Sequence, residues 1–308
     1  MNYYSNGKLL LTGEYLVLDG ATALAVPTKF GQDLIVEKIK EPEIIWGSFT
    51  NTCECWFETI FDLKKLRLIS ATFNSDKEGN ADVIAETLLD ILKEAKRMNP
   101  IFLETENGFM VKTELTFPRN WGLGSSSTLI NSIASWAKVD AFKLLWNSFK
   151  GSGYDIACAQ NDTPIFYQIK DRKPEVEQVE FNPNFKENLF FVHLNQKQDS
   201  KEGIAKFRES GDNFQKEIER ISEISDEFLK AKSIEDFNKL IIEHEQIISS
   251  IIKLRTVKEK LFPDYFGEIK SLGAWGGDFV LATGDENTPE YFKNKGFETV
   301  LTYQEMVL

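Results

Sequence analysis

Pro118-Arg-Asn-Trp-Gly-Leu-Gly-Ser-Ser-Ser-Thr-Leu-Ile-Asn-Ser-Ile-Ala-Ser-Trp-Ala-Lys138 is the stretch on which the reading of this chain turns. Gly122 and Gly124 permit positive φ and close backbone approach. Leu129, Ile130, Ile133, Ala134 and Ala137 then recur at helical spacing, so a helix is expected to begin near Ser125, Ser126 and Ser127. A glycine turn feeding a serine-rich helix start presents free N–H groups, hydroxyls and the positive end of the helix dipole, which together form a cradle for phosphate. The same residues equally describe a serine-capped helix after a glycine turn. No Lys-Ser/Thr pair follows the glycines, so the segment is not a P-loop.

Three other stretches stand out. Ser5 to Thr28 carries an apolar strand headed by Lys8 and stopped at Gly13-Glu14-Tyr15. Gly151 to Gln160, "GSGYDIACAQ", sets Asp155 at a helix start, where a carboxylate is commonly an N-cap. Ser271 to Thr283, "SLGAWGGDFVLAT", packs Gly273, Ala274, Gly276 and Gly277 before a strand, a loop that backbone or ligand approaches closely.

The remaining pattern is α+β. Strands are expected in "KLLL", "ATALAV" and "DLIVEKI", with Gly13, Gly20, Pro27 and Gly31 as punctuation, and again near residues 53–60, 66–73 and 108–115. Residues 81–97 form an apolar helical stripe ended by Asn99-Pro100. Between Asn213 and Leu261 the chain is mostly helical, with Ser233 as an N-cap and an apolar stripe from Phe237 to Ile252. His244 sits near that stripe and reads as a packed histidine. The end reads strand–helix–strand. A length of 308 residues predicts two layered domains, residues 1–175 and 176–308.

Composition narrows the setting. The 42% apolar and 27% charged content is ordinary for a globular protein, and no apolar run is long enough for a membrane span. With no secretory signal and three cysteines, the expected place is the reducing cytoplasm. Cys53 and Cys55 read as two strand residues on one face; the two histidines are too remote in sequence to complete a metal site with them. A net charge of −12 argues against nucleic-acid or anionic-membrane partners but leaves room for an anionic small molecule.

Taken together, Lys8-Leu-Leu-Leu-Thr-Gly-Glu-Tyr15, Pro118-x-x-x-Gly-Leu-Gly-Ser-Ser-Ser127 and Gly273-Ala-Trp-Gly-Gly277 resemble the three motifs of the GHMP kinases, in order and spacing, over nearly the whole chain. The middle motif is the specific one. The resemblance implies an N-terminal ATP-binding domain like ribosomal-protein S5 domain 2, over residues 1–175. It implies a ferredoxin-like domain over residues 176–308.

It further implies an ATP- and Mg²⁺-dependent kinase acting on a small metabolite, as monomer or homodimer. Gly122, Leu123, Gly124, Ser125, Ser126 and Ser127 would wrap the ATP phosphates, with Ser126 as the metal contact. Lys8 would be the cation at the reacting center and Asp155, within Ser152-Gly153-Tyr154-Asp155, the base. Glu14, Tyr15, Ser152, Gly153, Gly273, Ala274, Gly276, Gly277 and Asp278 would face the substrate. Gly-Glu-Tyr and Gly-Gly-Asp are most like mevalonate and phosphomevalonate kinases, hence isoprenoid biosynthesis. The alternatives are a GHMP sugar kinase and a catalytically silent relative that senses nucleotide or metabolite. Three departures bear on this. Trp275 replaces a glycine, and Ser127-Thr128 replaces small alanines. The stretch from Lys138 to Gly151 lacks the acidic residue with which some mevalonate kinases hold a second bond to Mg²⁺.

Overall fold

The computed structural model describes residues 1–73, 80–149, 151–196, 207–208, 214–273 and 275–308. The chain divides into two compact units that interleave in sequence. Residues 1–7, 30–119 and 124–160 form the first, and residues 8–29, 120–123 and 161–308 the second.

The first unit is a sheet carrying helices. Antiparallel pairing joins β2 (Ala23–Ile39) to β6 (Gly108–Leu115), β3 (Glu43–Phe49) to β4 (Cys55–Asp62), and β4 to β5 (Arg67–Phe73); β3 and β6 run parallel. In β3 burial alternates strictly, with Ile44, Trp46 and Ser48 inward, as the two-residue period of a half-buried strand requires. Helix α1 (Ala81–Met98) is capped by the Asn80 side chain, which accepts from the Asp82 N–H. Its Leu88, Leu89, Ile91 and Leu92 pack with Trp46, Phe57, Phe61, Phe109 and Trp136 in one core. Helices α2 (Ser125–Ala137), α3 (Ala141–Ser148) and α4 (Tyr154–Ala159) complete the unit.

The punctuation expected in β2 is absent. β2 runs through Pro27 and Gly31 as one strand of 17 residues. It tolerates them because its ladder partners change there. Ala23–Ala25 pair with β7 (Ile165–Lys170) and Gln32–Ile39 with β6, so Pro27 and Gly31 fall between those two ladders, while β1 also pairs with β2. At Gly31 a side chain would collide with the Ser5 carbonyl and Tyr4 of β1 (Asn2–Leu10). The glycine marks a close strand approach rather than a turn. Cys53 also departs from expectation. It lies in a turn at φ 60°, two residues before β4, so the cysteine pair does not share a strand face.

The second unit has an antiparallel sheet in the order β10 (Ile269–Ser271), β11 (Phe279–Thr283), β9 (Leu189–His193), β12 (Val300–Thr302). A further hairpin pairs β7 with β8 (Lys173–Gln178). The helices are α5 (Gln215–Lys230), α6 (Ile234–Ile252), α7 (Val257–Leu261), α8 (Thr288–Asn294) and α9 (Tyr303–Met306). Ser233 caps α6 as the sequence predicts, accepting from the Asp236 N–H. The buried face of α6 includes His244 and Glu245 beside Phe237, Ile241 and Ile248. Among the described residues no helix is long and apolar enough to cross a membrane.

Phe61 is fully buried in the first-unit core. Phe61→Ala removes the ring and leaves a cavity, so urea denaturation should show a loss of about 3–5 kcal/mol.

Candidate functional site

Within the second unit, Lys8 lies at the inner end of β1. Its backbone N–H donates to the Leu123 carbonyl at 3.1 Å and its ammonium to the Gly122 carbonyl at 3.1 Å. The residues on the other side of that turn are also anchored. His193 Nε2 lies 3.1 Å from the Asn120 carbonyl, and Trp121 packs edge-on against Phe279. Gly122 has φ +67°, and a side chain there would collide with the Asp278 carboxyl. Asp278 is itself held at φ 51° by two backbone bonds, its N–H donating to Gln196 and its carbonyl accepting from Leu194, both 2.8 Å. Lys8, Gly122, Leu123 and Asp278, distant in sequence, therefore meet in one corner.

The Gly13-Glu14-Tyr15 turn lies inside the second unit. Gly13 has φ +88°, and a Cβ there would stand 2.7 Å from that of Ala23. Its N–H donates to His244 Nε2 at 3.1 Å. The Glu14 carboxylate accepts from Lys270 Nζ at 2.7 Å, with both side chains at 0% exposure. Glu245 lies 3.5 Å from the same ammonium and accepts from the N–H and hydroxyl of Ser271, both at 3.1 Å. The Tyr15 hydroxyl accepts the Trp275 N–H at 3.1 Å. Trp275 is buried and its indole N–H donates to the Arg255 carbonyl at 3.3 Å, so this aromatic is part of the packing. Gly273 and Gly276 both have positive φ, and the Cβ position of Gly276 faces open space. Gly277 follows it, buried; Ala274 lies outside the described residues.

Burial dominates the titration of this cluster. It raises the Glu14 pKa, against the pull of Lys270. It raises Glu245 to about 8, opposed by Lys270 and reinforced by Glu14. Burial and then the Lys270 charge hold His244 well below the usual imidazole value. The ring is therefore neutral, and since Nε2 accepts the Gly13 N–H, its proton belongs on Nδ1. The 3.2 Å approach of His244 to Glu14 is accordingly not an ion pair.

Within the first unit, α2 starts at Ser125 behind Gly124, whose φ is +90°, and no side chain caps it. Ser126 is exposed, and Ser125 and Ser127 are half-buried. The Asn131 amide donates to the Ser5 hydroxyl at 3.0 Å and to the Ala159 carbonyl at 3.4 Å, while Gln160 donates to Asn131 at 2.9 Å. These bonds tie α2 to α4, so the serine-rich start and Asp155 stand on adjoining helices. The cap of α4 is Gly153, at φ +95°, with Ser152 buried before it. Asp155 lies inside the first turn rather than at the cap position. Asp140, the acid between Lys138 and Gly151, caps α3 by accepting the Lys143 N–H at 3.0 Å.

The His244, Glu245 and Lys270 network was not read from sequence as a unit. Its signal was present: a histidine-glutamate pair inside the apolar stripe of α6, and a lysine between Ile269 and Leu272. Charged residues at apolar-periodic positions require partners.

No family model matches the sequence, and no curated protein matches it. Solved structures do. The mevalonate kinase of Methanococcus jannaschii is 20% identical with a TM-score of 0.68, over 97% of this chain and 96% of that one. The Streptococcus pneumoniae phosphomevalonate kinase, in complex with phosphomevalonate and AMPPNP, is 16% identical with a TM-score of 0.69, over 98% and 99%. The Lactococcus lactis galactokinase complexed with galactose is 13% identical with a TM-score of 0.61, over 96% and 88%.

Gly122→Ala meets both a positive φ and the Asp278 carboxyl, whereas Gly276→Ala meets the φ alone. In urea denaturation the second should cost about 1 kcal/mol and the first distinctly more, about 2–3 kcal/mol. The motifs first noted in the sequence thus lie in an α+β fold shared with proteins acting on different metabolites, and the chain has the two-domain fold of the GHMP kinases.

Proposed function

We propose that this chain is an ATP-dependent kinase that phosphorylates a small metabolite, mevalonate or phosphomevalonate in the first instance. The observation that carries the reading is the start of α2. Three serines follow a positive-φ glycine, no side chain caps the helix, and Ser126 is exposed. Uncapped N–H groups and hydroxyls at the positive end of a helix suit the phosphates of ATP. The likeness of fold to mevalonate and phosphomevalonate kinases supports the substrate class. The galactokinase has a similar fold, so a sugar remains the alternative acceptor.

In this reading Gly122, Leu123, Gly124 and Ser125–Ser127 hold the triphosphate. Asp155 orients the acceptor hydroxyl and takes its proton as the oxygen attacks the γ-phosphorus. Lys8 neutralizes charge at the reacting center. Gly273, Ala274, Gly276, Gly277 and Asp278 border the substrate with Ser152 and Gly153. Glu14 and Tyr15 act from behind, by fixing the loop that carries Trp275.

Mg²⁺ fits the residues present in a limited way. No cluster of three His, Cys, Asp or Glu able to hold a metal occurs among the described residues. Ser126 would offer one hydroxyl, with phosphate oxygens and water completing the shell, as Mg²⁺ commonly accepts. The ion would supply charge neutralization between the phosphates.

The sensor alternative draws on Asp140, committed to capping α3. ADP release measured with mevalonate, phosphomevalonate, galactose and homoserine separates the readings. Turnover is expected with one of them, and Asp155→Asn should lower kcat by about 10²–10⁴ while ATP binding by calorimetry is kept. ATP binding with no turnover on any acceptor would favor the sensor.

A further inference from the structure

The second unit buries a polar cluster of Glu14, His244, Glu245, Lys270 and Ser271. It joins three separate pieces of chain. Glu14 comes from the first turn, His244 and Glu245 from α6, and Lys270 and Ser271 from β10, which leads into the third glycine loop. Its bonds tie the first turn and α6 to β10. Gly13 donates to His244, Glu14 receives Lys270, and Ser271 donates twice to Glu245. The Lys270 ammonium also donates to the Ser271 carbonyl at 3.0 Å. A last bond, from the Trp275 N–H to the Tyr15 hydroxyl, joins the two loops directly.

We propose that Lys270, His244 and Glu245 are positioning residues, forming a buried clasp that fixes the Gly13–Tyr15 turn against Ser271, at the end of β10, and Trp275 beyond it. That these loops border a substrate rests on the kinase reading; the clasp itself does not.

The charges make the clasp sensitive to pH. One ammonium faces two carboxylates, Glu14 at 2.7 Å and Glu245 at 3.5 Å, with a neutral imidazole beside them. These are the titratable groups facing Glu245 from the first turn, β10 and its own helix. Two buried carboxylates against one cation favor a proton on one of them. Burial assigns it to Glu245, raised to about 8 from its ordinary 4.5. The folded state thus keeps a proton that the unfolded chain has lost above its lower pKa. Stability from this group is full in acid, declines as pH rises toward about 8, and levels off beyond it. By that point a second buried carboxylate lies beside Glu14, and the loops it holds are at their loosest.

Amide hydrogen exchange on the full chain, corrected for intrinsic rates from pH 6.5 to 9.5, tests this. Protection of the Gly13–Val17, Ser271–Gly273 and Trp275–Gly277 amides should fall roughly tenfold between pH 6.5 and 7.5 and level off above about 8, while that of β9 holds. Glu245→Gln keeps the shape without ionizing and should abolish the fall. A flat wild-type profile, a fall shared equally by β9, or an undiminished fall in Glu245→Gln would overturn the clasp. If the variant does not fold, the wild-type series still decides. A pH profile of kcat/KM on whichever substrate turns over should decline over the same range and flatten above about pH 8. Absence of turnover would sink the kinase reading and leave the exchange result to judge the clasp.

Discussion

Lys270 keeps its ammonium wholly out of water, and that constraint organizes the second unit around it. Removing a charge from water costs several kcal/mol unless close partners replace the solvent. Glu14 supplies the nearest replacement at 2.7 Å, Glu245 the next at 3.5 Å, and the Ser271 carbonyl a third contact. None of these partners could stand alone in the same place. Glu14 without Lys270 would be a buried carboxylate, and Glu245 already holds its proton to about pH 8. The first turn, α6 and β10 are thereby obliged to stay together.

Glycines do the complementary work at the loops. Gly13 lets the turn lie against Ala23, and Gly122 leaves room for the Asp278 carboxyl. Lys8 donates to the Gly122 carbonyl beside that close approach. In the first unit the same economy appears at Gly124 and Gly153, each a positive-φ glycine starting a helix without a side-chain cap.

Local chemistry was readable wherever the cause was local. The Asn80 and Ser233 caps, the stripe of α1 and the glycine-to-serine start of α2 depend on neighbors within a few residues, and they stand where the pattern puts them. Pro27, Gly31 and Cys53 misled for the opposite reason. Proline and glycine break strands when every ladder position must be filled, but β2 changes partners across them. Cys53 looked like a strand residue until the turn at Thr50 to Glu54, closed by a 2.9 Å backbone bond, took it out of β4.

The sequence by itself determined the fold class, the glycine turns and the residues that carry charge, because periodicity, capping and positive-φ demands act over short spans of chain. Tertiary structure alone decided what those charges do. Glu14, His244 and Lys270 give no sign of one another along the chain, yet folding sets His244 3.2 Å and Lys270 2.7 Å from the Glu14 carboxyl. Which charges share a dry interior depends on contacts between residues hundreds of positions apart, and no local pattern encodes that distance.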